Sequence, residues 1–170
     1  MEDPIISGVV TDTSEAKFTI VAVPDRPGIS AAVFERLAAA NVNVDMIVQN
    51  TGHDGATDLS FTLPKADIAT ASGIVEQLAS EIGAKGVNHD IDIAKISLVG
   101  AGMKTSPGVA AKMFRTVADE GINIEMISTS TIRISIVTKA EHLEAAARAL
   151  HTAFGLDSGQ SYSAPLPERK

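Results

Sequence analysis

Hydrophobic positions recur along this chain with two periods, and each change of period marks an element. Residues 5–10 read as a short strand, and a polar connector follows over 11–15. Over 17–23, Phe18, Ile20 and Ala22 share one face of a strand. The turn Pro24-Asp-Arg-Pro-Gly28 comes next. Ile29, Val33, Leu37 and Ala40 then recur at helical spacing, with Glu35 and Arg36 on the wet side. Pro27 lacks an N–H and presets φ, which suits a helix start, and Asn41 suits its stop. Val44, Met46 and Val48 place a strand over 43–50, and turn formers fill the hairpin loop 51–55. The next strand, 57–63, turns Leu59, Phe61 and Leu63 inward and Asp58, Ser60 and Thr62 outward. Ile74, Val75, Leu78 and Ile82 stripe a second helix over 67–82, and a strand over 87–91 closes the run.

The order is β-α-β-β-α-β, the ferredoxin-like split arrangement, with an antiparallel sheet and both helices on one face. It then repeats. Lys95 opens a second pass: a strand over 96–99, a long turn, a helix over 107–120 that Gly121 stops, and strands over 122–128 and 132–136. A helix over 141–154 follows, with Leu143, Ala147, Leu150 and Phe154 inward. Pro27-Gly28, Phe34, Asn43, Asp45, Met46 and Ile47 reappear 80 positions later as Pro107-Gly108, Phe114, Asn123, Glu125, Met126 and Ile127. Agreement at one offset over so many positions marks an internal duplication. The expected fold class is α+β: two ferredoxin-like domains over 17–93 and 94–164, with antiparallel sheets and helices on one face. Residues 1–16 are a strand and connector open to either repeat. Residues 161–164 are the candidate for a last strand, and the tail 165–170 is expected to be disordered.

Composition narrows the chemistry. The net charge is −7, with 4% aromatic residues and no Trp. That is poor equipment for neutralising phosphates or stacking bases, so no nucleic-acid partner is expected. No apolar run reaches transmembrane length, and no membrane partner is expected. The absence of Cys removes disulfides and thiolate chemistry and fits the cytoplasm. His53, His89, His142 and His151 are scattered, and no metal site is expected. Gly100-Ala-Gly102 follows a strand, but Thr105 stands where a dinucleotide fingerprint wants its third Gly. No catalytic centre stands out. The turn at 24–28 does. A helix N-terminus offers N–H groups and a positive dipole end to a carboxylate, and Asp25 beside it offers a partner to an ammonium. Together they suit a free α-amino acid, with Asn43 and Gln49 placed to read its side chain. The competing reading is that Asp25 merely caps the helix. The second copy lacks an Asp25 equivalent.

Several stretches then resemble the C-terminal regulatory half of aspartate kinase. They are Ile6-Ser-Gly-Val-Val10, Asp25-Arg-Pro-Gly28, Asn43-Val-Asp-Met-Ile-Val-Gln-Asn50, Thr57-Asp-Leu-Ser-Phe61, Lys95-Ile-Ser-Leu-Val-Gly-Ala-Gly-Met103 and Ile127-Ser-Thr-Ser130. The likeness is closest to the separate regulatory β subunit of α2β2 enzymes. It implies tandem ACT domains paired across a homodimer, a catalytic α partner, and threonine, lysine or both as effectors rather than any cofactor. It implies feedback inhibition of aspartate phosphorylation, with no catalytic site in this chain. By match to the family's motifs, the effector site would hold Asp25, Arg26, Pro27, Gly28, Ile29 and Ser30. Asn43, Val44, Asp45 and Gln49 would line the side-chain end. Val109, Ala110, Asn123, Ile124 and Ser130 of the second domain would complete it. The alternatives are a stand-alone amino-acid-binding ACT protein that regulates another enzyme, a small enzyme on this scaffold, and a module that only dimerises.

Overall fold

The computed structural model describes residues 5–52, 54–103 and 106–158, and the backbone of 162–163. It divides into two compact units, Ser14–Ile93 and Met1–Thr13 with Ala94–Lys170.

The first unit contains β2 (Glu15–Pro24), α1 (Ile29–Ala39), β3 (Ile47–Gln49), β4 (Ala56–Pro64), α2 (Ile68–Ile82) and β5 (Gly86–Asp90), and β1 (Ile5–Asp12) precedes it. Its sheet runs β3-β4-β2-β5, the ferredoxin-like order, with antiparallel pairings. Phe18 and Ile20 of β2, Leu59, Phe61 and Leu63 of β4, Val33 and Leu37 of α1, and Val75 and Leu78 of α2 form one core, so both helices cover the same face. Phe61 is its centre: Phe18 stacks on it at 5.9 Å and Phe34 meets its edge at 5.5 Å. Arg36 of α1 donates to Glu81 of α2, and this bond holds the Glu81 carboxyl below its usual range.

The second unit contains β6 (Ile93–Ala101), α3 (Pro107–Asp119), β7 (Met126–Thr129), β8 (Arg133–Lys139), α4 (Leu143–Ala153) and β9 (Tyr162–Ser163). Its sheet runs β7-β8-β6-β1-β9. The place of a fourth strand is taken by β1, from the far end of the chain. It runs antiparallel to β6, from Ile5 opposite Ala101 to Asp12 opposite Lys95. β9 lies outside it, opposite Ile5 and Ile6. Ile6 joins Ile96, Leu98, Met113, Ile136 and Leu150 in the second core. The glycine pair belongs to this pairing. A Cβ on Gly100 would stand 2.2 Å from the Ile5 carbonyl oxygen, so Gly100 makes room for β1 rather than for a phosphate.

The periodicities hold better than the boundaries. The strands expected over 43–50 and 122–128 shorten to β3 and β7. Before β3, the Met46 N–H goes to the Thr62 hydroxyl at 3.1 Å instead of to a ladder carbonyl. Thr62, expected outward, is fully buried for the same reason. Its counterpart Thr138 is also buried and donates to the Asn123 carbonyl at 3.0 Å. The last helix begins with a 3-10 turn over Ala140–His142 and buries Ala146 rather than Ala147. The helix stops are shared: Asn41 has φ 58° and Gly121 φ 70°. At the first, Asn41 N–H bonds Ala38 O and Val42 N–H bonds Leu37 O. Gly121 and Ile122 repeat both bonds, to Ala118 and Val117, and the pattern is a Schellman motif in each copy. Residues 165–170 lie outside the described residues.

Ile6 and Val10 sit on one strand but differ sharply in burial, at 0% and 50% exposed. Ile6→Ala is expected to cost about 2–5 kcal/mol, and Val10→Ala to stay within about 0.5 kcal/mol. Chemical denaturation checks both, and equal costs would remove β1 from the core.

Candidate functional site

The link between β2 and α1 is shaped by backbone. Asp25 N–H donates to Gly55 O at 2.9 Å, which ties the turn to the loop between β3 and β4, and Arg26 N–H reaches Pro24 O at 3.0 Å. Gly28 has φ 93°, a region where a side chain crowds the following carbonyl. A residue so placed cannot be helical, and α1 therefore begins at Ile29 rather than at Pro27. No side chain caps this helix, so Asp25 is not its cap. Residues 25–28 are exposed, Ile29 is buried and Ser30 is half-buried. The first-turn N–H groups of a helix have no carbonyl within it and stand at its positive end. The site thus presents an exposed carboxylate beside unclaimed donors.

Ser30 connects this end to the strand, its hydroxyl donating to Gln49 Oε1 at 2.9 Å. Gln49 lies opposite Leu59, near the loop end of β4. Asp45 instead bonds Thr62, well along β4 toward Pro64. Residues 25–30 and Gln49 therefore share one end of the unit, while Asn43, Val44 and Asp45 lie toward the other. At about 3.3 Å per residue, the stretch from Asn43 to Gln49 covers up to about 20 Å, longer than any free amino acid.

The second unit repeats the plan with other chemistry. α3 begins at Pro107, and its N-cap Ser106 makes no side-chain cap bond. Val109 is buried, Ala110 half-buried, and Ser130 exposed. Ser130 holds a tight turn, its N–H donating to Arg133 O at 2.8 Å and its hydroxyl accepting from Ile132 N–H at 3.4 Å. Asn123 and Ile124 lie away from it, beside Thr138. Ala110 and Thr129 stand at the positions of Ser30 and Gln49. A cavity of about 450 Å³ opens between them, lined also by Met103, Ser106, Pro107 and Ile134. Sequence reasoning did not single out Met103, Ser106 or Thr129; the repeat offset, which maps Thr129 onto Gln49, was the available signal.

Elsewhere, His89 stacks on Phe18 with ring centres 5.4 Å apart. Among the described residues no metal-ligating cluster forms, and no helix is long and apolar enough to cross a membrane.

Models described as ACT domains match residues 18–83 and 96–154. An aspartokinase of Pseudomonas aeruginosa is 51% identical over 158 residues, which is 93% of this chain and 38% of the relative. The regulatory subunit of aspartate kinase from Thermus thermophilus, solved in a ligand-free form, is 43% identical with a TM-score of 0.83. That match covers 88% of this chain and 98% of the other. A structure of aspartokinase alpha and beta subunits gives the same identity and score, covering 89% of this chain and 99% of that one. Fold and turn geometry together define a tandem ACT-domain protein. The chain belongs to the aspartokinase family, as the regulatory part of such enzymes. It spans about 38% of the length of the curated relatives it matches, their C-terminal part, and the kinase domain lies outside it.

Gly28 tests the turn. A Cβ there meets nothing within 4 Å, so substitution strains the backbone without a clash. Gly28→Ala is expected to cost about 1–2 kcal/mol and to leave unfolding cooperative. Gly28→Asn, which tolerates this region, should cost less. Thermal melts of both variants decide it, and loss of cooperative unfolding would make Gly28 a fold determinant.

Proposed function

We propose that this chain is the end-product sensor of an aspartate kinase. It binds threonine, lysine or both at ACT-domain interfaces and carries their presence to a catalytic α chain as feedback inhibition of aspartate phosphorylation. It works in the cytoplasm as a homodimer within an α2β2 assembly. One observation carries the reading: an exposed Asp25 carboxylate beside an uncapped helix start, with Gln49 gathered to the same end. The ligand's carboxylate meets the first-turn N–H groups of α1. Its ammonium meets Asp25, and its side chain runs toward Gln49. Asn123 and Ile124 belong to the other unit and supply the complementary face of a ligand held by two domains. The likeness to aspartokinase alpha and beta subunits supports the catalytic partner.

The effector acts by preference between states. A ligand shifts a conformational balance only as far as its affinity differs between the two forms. Holding two domains together gives such a difference, because the two-domain site exists only in one arrangement.

Two measurements test this. In a melt of the chain against single amino acids, threonine or lysine is expected to stabilise selectively, by about 2.7 kcal/mol at a hundredfold excess over Kd. No shift with any amino acid, alone or with the catalytic chain present, removes the sensor reading. Calorimetry on Asp25→Ala should show affinity at least about tenfold weaker, about 1.4 kcal/mol. Unchanged affinity would detach Asp25 from the ligand.

A further inference from the structure

The two repeats differ where their scaffolds are most alike. In the first unit, Ser30 and Gln49 close the gap between the helix start and the strand with a hydrogen bond of 2.9 Å. In the second, Ala110 and Thr129 occupy those positions, and the gap is the 450 Å³ cavity. We propose that this cavity is a separate binding pocket for a neutral α-amino acid with a short side chain, of the size of valine or threonine, and that it rejects lysine. The proposal rests on the effector reading only in taking free amino acids as the ligand class.

The lining sets the chemistry. Met103, Pro107, Ala110 and Ile134 form an apolar wall suited to a short aliphatic side chain. Ser106, Thr129, Ser130 and Thr131 surround it with hydroxyls, which accept from an ammonium and donate to a carboxylate. The uncapped start of α3 adds backbone donors for the carboxylate. None of these lining side chains is charged, so the side-chain ammonium of lysine finds no partner and would be desolvated against apolar groups. The turn over 129–131 is already held by its own backbone bond, Ser130 N–H to Arg133 O, so the hydroxyls are presented by a formed wall.

The test uses the whole chain with 13C-methyl methionine. Met103 lines the pocket, Met46 precedes β3 in the other unit, and Met113 in the second core serves as a control. In the Asp25→Ala background, valine and threonine are expected to move the Met103 methyl resonance saturably, while lysine leaves it in place. Ala110→Ser with Thr129→Gln rebuilds the closure of the first unit and should abolish the Met103 response. Ala110→Leu fills the same space from the helix side and serves where the double variant does not fold. The proposal falls if neither valine nor threonine moves Met103, if lysine moves it equally, or if the response survives the closure. A Met46 response that Asp25→Ala removes belongs to the effector site. Its absence beside a retained Met103 response would sink the effector reading and leave this one standing.

Discussion

The antiparallel pairing of β1 with β6 is the constraint on which the rest depends. It supplies the second sheet with the strand its own repeat does not provide, and it brings Ile6 into the second core. It also explains Gly100, where any side chain would meet β1 backbone. At its far end, Asp12 stands opposite Lys95, with Oδ2 and Nζ 3.5 Å apart and the Lys95 side chain nearly buried. The first repeat leaves the chain just after this pair and returns just before it. One ACT unit is therefore an insertion within the other.

Duplication preserved the scaffold and released the site. Asn41 and Gly121 end their helices with the same two bonds, and Thr62 and Thr138 each use a buried hydroxyl to hold the incoming strand. Those positions serve backbone geometry and tolerate little change. Around the turn, side chains face solvent, and substitution costs little stability. There Asp25 has no counterpart, and the Ser30–Gln49 link gives way to Ala110 and Thr129. Chemistry has diverged where packing permits it.

Much of this was legible in the residues. The repeats, the helix faces and the α+β class follow from period, because burial of one face imposes it. The partner of β1 was not legible, since a strand's alternation records which face is buried and not which neighbour it pairs with. Thr62 broke its own alternation because a hydroxyl with a backbone partner can be buried at little cost. The helix start at Ile29 was missed because Pro27 suits a first turn by sequence, while the positive φ of Gly28 excludes it. Asp25 and Gln49 came together as expected. Asn43 did not join them, because positions on one face of a strand are separated along its length.

The insertion also has a consequence for how the protein is made. β1 leaves the ribosome first, and Lys95 follows Asp12 only 83 residues later. At about 5–20 residues per second, that is a wait of several seconds. Closing a flexible loop of that length has an entropic cost of about 4 kcal/mol. The inserted unit can fold during the wait, and in its sheet Lys17 lies opposite Asp90, so folding draws its two ends together. When β6 emerges, most of the closure has already been made. The first repeat thus acts as a splint during synthesis, setting the ends of the second where they can meet.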